Sequence, residues 1–441
     1  MNKQFKYSTL CASLLLSLSA NAAIEEGMNY HGYAKAGIGI TNDPVLNKTA
    51  YDWANTGSNV FRLPGNTYTD TSAGRLGNES NWLEMHFDYG YAAKNDMNWG
   101  VNANIVYGTE LALDELYVVA DGVIPSNPSA TFWAGKRYYG RVETFLTDSQ
   151  PLSSDGAGFG IDNIDVGIGN LYVGVTRNLY DEGANGAGPA GGDDDSGEMI
   201  AFSTSLRDIV LAENLSLNLY ANYGTYMGPN KDEDHPSGNG TYKDMNPDGY
   251  QAAAKLRYGD WANWDELFVR YSRNATGSLT RGSWEALATD QFGAFFQGYK
   301  ELTDSVRLNY IAQHENAKFD EEARARAGTQ LYESNWNTFV VRGTYVWNER
   351  TSTEIETGYE FADLKGVNKA DDGTNDGYKV TLAQNLHIGG GFWDRPVIRL
   401  YATYADMNIE SKVYDRWAID GDIPMGSSDA LSFGVQFEAW W

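Results

Sequence analysis

The sequence predicts an all-β fold, a membrane-spanning antiparallel barrel, and three observations carry the prediction. The chain closes on LSFGVQFEAWW, in which Leu431, Phe433, Val435, Phe437, Ala439 and Trp441 alternate with Ser432, Gly434, Gln436, Glu438 and Trp440. One face of a period-2 strand is then apolar and the other mostly polar. Similar alternation recurs along the chain. Finally, no stretch after the N-terminal segment approaches the run of about 20 apolar residues that a spanning helix needs.

Taken in order, residues 1–22 read as a secretory signal. Lys3 and Lys6 form a basic start, Leu10 to Leu18 a short apolar core, and Ala20-Asn21-Ala22 a cleavage site. Cys11, the single cysteine, lies inside that segment, so residues 23–441 have neither disulfide nor thiol chemistry. The net charge of −26 becomes −28 once Lys3 and Lys6 are removed. That charge argues against nucleic acid as a partner and against an anion-collecting pore, and acidic outer loops account for most of it.

In the interior, Trp82, Glu84, His86 and Asp88 interleave with Leu83, Met85, Phe87 and Tyr89. Glu354, Glu356, Gly358 and Glu360 interleave with Ile355, Thr357, Tyr359 and Phe361. Charges this regular on one side of a strand need water there, while the other side faces apolar surroundings. Further strands are expected near 29–40, 99–107, 131–138, 164–176, 200–206, 215–223, 250–258, 266–273, 292–299, 305–313, 338–347, 378–386 and 397–405. Long Gly/Asp/Asn-rich stretches at 181–198, 228–249, 363–377 and 406–429 alternate with brief turns such as Arg207-Asp208 and Gly259-Asp260. A chain of this length then allows roughly 16 to 20 strands around a channel. The abundance of Tyr, Phe and Trp suits the aromatic girdles of an outer-membrane barrel. Residues 140–160 are long, carry Arg141 and Asp148, and end in Gly156-Ala157-Gly158. A loop folded into the lumen needs that polarity, and a surface loop has it too.

Phase also places aromatics. Tyr33 shares a face with His31 and Lys35, Trp82 with Glu84 and His86, and Phe268 with Arg270 and Ser272. Trp393 falls in phase with Arg395 and Arg399, and Trp440 with Glu438. These five stand on polar faces, in the channel if the barrel reading holds, or in a girdle or under a loop otherwise. The histidines sit in no nucleophile motif, so catalysis is not expected. Asp193-Asp194-Asp195, and Asp371-Asp372 with Asp376, lack an EF-hand spacing and read as solvated loops, so neither metal nor cofactor is expected.

Several stretches together resemble the maltoporin family of sugar-selective outer-membrane channels. They are His31 to Gly39 (HGYAKAGIG), Arg75 to Glu79 (RLGNE), Trp133 to Tyr139 (WAGKRYY), Gly156 to Gly158 with Ile161 to Gly167, Arg395 to Arg399 with Tyr401 to Ala405, and the terminal Trp440-Trp441. The resemblance implies an 18-stranded, trimeric barrel with the 140–160 loop turned inward. It also implies an aromatic slide, matched here by Tyr33, Trp82, Phe268, Trp393 and Trp440, beside a polar track matched by Lys35, Arg75, Glu84, Arg141 and Asp148. A pyranose has an apolar face for rings and a rim of hydroxyls for charged groups, so such a lumen suits oligosaccharides. Arg75 lies seven residues from Trp82, the wrong parity for one strand face, so a bulge or loop must intervene. Gln150 stands where the family has its constriction tyrosine, Ser153 where it has an acid, and Asp114 where it has an arginine. These departures point to a wider constriction that takes sugars other than long α-glucans. The alternative is a non-selective diffusion porin, which lacks lumenal aromatics and clusters its charges across the pore.

Overall fold

The computed structural model describes residues 24–42, 61, 63, 65, 72–78, 81–108, 111–177, 198–227, 235–237, 240–242, 248–275, 288–327, 329–389, 391, 393–413 and 425–441. The expected signal segment and Asp193-Asp194-Asp195 lie outside the described residues. The strands are β1 (Gly27–Thr41), β2 (Trp82–Lys94), β3 (Met97–Tyr107), β4 (Leu111–Asp121), β5 (Thr131–Arg137), β6 (Gly156–Asp165), β7 (Asn170–Arg177), β8 (Glu198–Ala212) and β9 (Leu215–Met227). A small hairpin, β10 (His235–Ser237) with β11 (Gly240–Tyr242), stands apart from the main sheet. There follow β12 (Gly249–Gly259), β13 (Trp264–Arg273), β14 (Asp290–Glu301), β15 (Val306–Lys318), β16 (Leu331–Asn348), β17 (Thr351–Gly366), β18 (Gly373–His387), β19 (Val397–Ile409) and β20 (Gly426–Trp440).

Each strand pairs antiparallel with the next, and β1 pairs with β20, so the 18-stranded sheet is closed. Closure leaves no edge strand, which is the condition for β-structure to exist in hydrocarbon. No helix among the described residues is long and apolar enough to cross a membrane. Two-residue turns such as Asn95-Asp96, both at positive φ (55° and 61°), join strands at one end, while the long connections gather at the other.

Alternation settles which face is which. On β20, Leu431, Phe433, Val435 and Phe437 are outward and 38–51% exposed, whereas Ser432, Gln436 and Glu438 are inward and buried. Two strands escape the sequence pattern. On β4 the register jumps between Asn104↔Glu115 and Ile105↔Leu113, leaving Asp114 as an extra residue that reverses the phase. The expected strand at 164–176 spans the turn between β6 and β7, because Gly156, Gly158 and Gly160 give β6 no side chains to alternate. Arg207-Asp208 is a bulge inside β8, with Asp208 at φ 58°, rather than a turn. The outer ends of β17, β18, β19 and β20 extend into the stretches expected as loops at 363–377 and 406–429.

The 140–160 stretch divides at Gly156, where β6 begins, so the loop is 138–155. It turns into the barrel. Val142, Leu146 and Leu152 pack against Tyr220, Ala253, Phe268, Phe295, Ile311 and Val340 on the inner wall. Arg270 Nη1 donates to the Pro151 carbonyl, Thr147 Oγ1 to Gln313 Oε1 at 3.2 Å, and Gln297 takes the Phe145 N–H at 3.1 Å. A polar wall thus anchors a polar loop through an apolar seam. Phe268, 0% exposed and stacked 5.1 Å from Phe295, is central to it. Phe268→Ala is expected to cost about 3–5 kcal/mol and to free the loop. Calorimetry and single-channel conductance should show a lower melting temperature and a larger, noisier current; wild-type values in both would remove Phe268 from that role.

A second inward segment, residues 72–78, has no counterpart in the sequence reading beyond the parity of Arg75. The Leu76 carbonyl accepts Lys379 Nζ at 2.6 Å and Thr381 Oγ1 at 2.9 Å, and the Leu76 N–H donates to Glu356 Oε1 at 2.9 Å. Thr338 Oγ1 donates to the Ser72 carbonyl at 2.6 Å. Gly74 and Gly77 hold positive φ (101° and 69°), and a Cβ on either would collide with Glu356 or Thr403. The Arg75 N–H meets the Leu146 carbonyl of the other inward loop at 2.9 Å.

Candidate functional site

Strands β1, β2 and β20 form one wall of the lumen, and their register sets the predicted residues in rows. Glu84, Tyr33 and Trp440 lie across from one another, as do Trp82, Lys35 and Glu438 in the next row. The Tyr33 and Trp440 rings are stacked 6.4 Å apart at 27°, and both are half-buried. The Arg395 guanidinium lies 4.4 Å over the Trp440 ring. Trp82 Nε1 donates to Glu84 Oε1 at 2.6 Å, and Glu84 Oε2 lies 3.3 Å from His86 Nε2.

Glu438, which the sequence reading used only to fix the phase of Trp440, is the hub. It accepts Tyr33 Oη at 3.0 Å, Arg75 Nη2 at 3.3 Å, Arg395 Nε at 2.7 Å and Arg399 Nη2 at 2.9 Å. Arg75 Nη2 also donates to Tyr33 Oη at 2.9 Å. Arg75 therefore reaches the wall from the inward segment 72–78, and the required departure from strand phase is that segment. The signal for Glu438 in the sequence was its place as the sole acid on the inner face of the closing strand.

The remaining predicted residues separate. Lys35 Nζ donates to Asp148 Oδ2 at 2.9 Å, tying the tip of the 138–155 loop to β1. Partial desolvation inside the lumen would raise the carboxyl of the exposed Asp148 side chain, but Lys35 and then Arg75 outweigh it and hold it at about 2. Arg141 does not meet Asp148. Its guanidinium grips Asp155 at 2.6–3.0 Å and stacks 3.4 Å over Tyr138, fixing the base of the loop. Tyr138 Oη in turn donates to Asp114 Oδ2 at 2.7 Å. Gln150 is half-buried in the loop, and Ser153 is buried at 1%.

Two aromatics stand away from the Tyr33–Trp440 pair. Phe268 faces inward by phase, yet the loop covers it completely, so it offers no ring face to the lumen. Trp393 lies in the 388–396 connection, outside any strand, and donates its Nε1 to the Trp261 carbonyl at 3.4 Å. Phe145, missed in the sequence, meets Trp393 at 5.7 Å and Trp264 at 5.3 Å, both edge-on. Sequence phase cannot see either contact, because both depend on where two connections fold. Among the described residues no group of three or more His, Cys, Asp or Glu side chains comes together as a metal site.

A closed 18-stranded barrel with a polar lumen narrowed from within is a diffusion channel of the outer membrane. The model of the LamB porin family matches residues 28–441, and the chain belongs to that family. The chain is also similar to solved porins. It shows 12% identity to OccD3 (OpdP) of Pseudomonas aeruginosa over 95% of this chain and 92% of that one, with a TM-score of 0.48. Against an anion-selective porin from Comamonas acidovorans the values are 11%, 95%, 100% and 0.43, and against OmpT of Vibrio cholerae 10%, 94%, 97% and 0.38.

Proposed function

We propose that this porin conducts oligosaccharides by facilitated passive diffusion, as a maltoporin-like homotrimer. The observation that carries the reading is the half-buried Tyr33–Trp440 pair, with Glu84 in its own row and Trp82, Lys35 and Glu438 in the next. The rings offer faces for a pyranose, and the ordered carboxylates and cations exchange hydrogen bonds with its hydroxyls. Affinity should be millimolar, about −4 kcal/mol, so that a bound sugar still leaves. A hydrophobic outer face with large exposed aromatics supports both lipid contact and a subunit interface.

A non-selective diffusion porin is the second reading, favoured by one arrangement. Glu84, Asp88 and Glu115 stand on β2 and β4, while Arg307 and Arg342 stand across the ring on β15 and β16. The experiment is single-channel current in planar bilayers with maltose, sucrose and cellobiose. Saturable block by any of them supports the sugar reading, and block by none at tens of millimolar leaves the non-selective porin.

A further inference from the structure

We infer that the inner wall formed by β14 to β19 holds an oxyanion subsite, and that the sugars this channel favours are acidic ones carrying a carboxylate or sulfate. The inference rests on the sugar-conducting reading and narrows its substrate class. Near the turn-bearing end of the barrel a cavity opens on this wall, and its charged lining is Arg307, Arg342, Arg395 and Arg399 against Glu354 and Asp394. In a chain with net charge −26, four guanidinium groups against two carboxylates line this cavity, and the other carboxylates that pair those arginines, Glu301, Glu356 and Glu438, lie outside its lining. The acidity expected to exclude an anion-collecting pore therefore does not describe the lining of this cavity.

Hydrogen bonding within the wall leaves guanidinium donors unused beside the cavity. Arg342 spends Nε and Nη2 on Glu356 Oε2, at 2.9 and 2.6 Å, and its Nη1 takes no acceptor among the described residues. Arg307 gives Nη1 to the Asp304 carbonyl at 3.1 Å and holds Nε 3.5 Å from Glu301 Oε1, which leaves its Nη2 without an acceptor among the described residues. A guanidinium with an open edge matches two oxygens of a carboxylate or sulfate at once. An acceptor completes the site. Asn385, 2% exposed, donates Nδ2 to Ser352 Oγ at 3.1 Å, yet its Oδ1 is buried without a partner among the described residues. A simple anion such as chloride has no proton to give that oxygen, whereas a sugar hydroxyl beside an acidic group has one.

The test uses the full-length protein in planar bilayers and a matched pair, a galacturonate trimer and its neutral methyl ester, with a sulfated disaccharide as a third probe. At about 0.1 M salt the free acid is expected to block about tenfold more tightly than the ester, and at about 1 M salt the gap should shrink as the field is screened. Arg307→Gln should lower the acid-to-ester ratio severalfold. Because the ratio is read within each variant, a change in open-channel conductance does not move it. Matching block by the sulfated probe assigns the site to oxyanions in general, and block by the uronate alone assigns it to carboxylates. Equal block by acid and ester overturns the inference while leaving a sugar channel standing. A wild-type ratio in Arg307→Gln overturns the placement, and block by no sugar at all overturns the sugar reading beneath it.

Discussion

Glu438→Gln is expected to lower the melting temperature of the barrel markedly. Glu438 is 3% exposed, and its carboxylate faces three guanidinium groups, Arg75, Arg395 and Arg399, as well as the Tyr33 hydroxyl. Removing the charge leaves buried cations without their common partner, a class of change that costs about 3–5 kcal/mol. Glu354, 3.3 Å from Arg399, compensates part of that loss. The loss should appear as unfolding at lower temperature in heat-modifiability on gels. A double replacement with Arg75→Gln should recover part of it, since one unpaired cation is then gone. An unchanged transition in the single variant would mean that the three arginines are held by the wall without Glu438.

Trp440→Ala should weaken sugar block by about tenfold, near 1.4 kcal/mol, with ion conductance kept close to wild type. The indole is the partner of Tyr33 in the stacked pair and the surface on which Arg395 lies, so its loss removes one ring face and releases a cation. Trp441→Ala should behave differently. Trp441 lies 5.9 Å from Tyr30, which itself stacks on Phe87 at 5.1 Å, and exchanges backbone hydrogen bonds with Gly32 at 3.1 Å, so it belongs to the outer face at the closing strand. Its replacement should reduce the yield of folded barrel and leave the block constant of the surviving channels unchanged. If both variants lose only yield, the strand serves closure and the sugar contact lies elsewhere.

Most of the barrel was legible because a strand between lipid and water must alternate, and residues such as Leu431 to Glu438 or Ile355 to Glu360 do so without interruption. Legibility failed where side chains could not carry the period. Asp114 adds a residue to β4 and flips its phase, and the glycines of β6 have no side chains to report one. The inward segments were harder, because their burial depends on backbone carbonyls meeting distant side chains, as Leu76 meets Lys379 and Thr381. Nothing in the local composition of 72–78 announces that. Phe268 illustrates the same limit from the other side: its phase points inward, but the cover supplied by Val142, Leu146 and Leu152 comes from a loop more than 100 residues earlier in the chain. Arg75 was the exception, since its parity relative to Trp82 already demanded a break in the strand.

The seam where β1 meets β20 has a consequence for how the channel comes into being. Tyr33 and Lys35 arrive with the first strand, Trp440 and Glu438 with the last, and they become neighbours only when the cylinder shuts. A sheet still open at that seam has two free edges and no stacked pair, and Arg75 has no carboxylate to meet. On the sugar-conducting reading, recognition is thus created by the final step of assembly. Sugar block on a population of inserted molecules would count the ones that have closed.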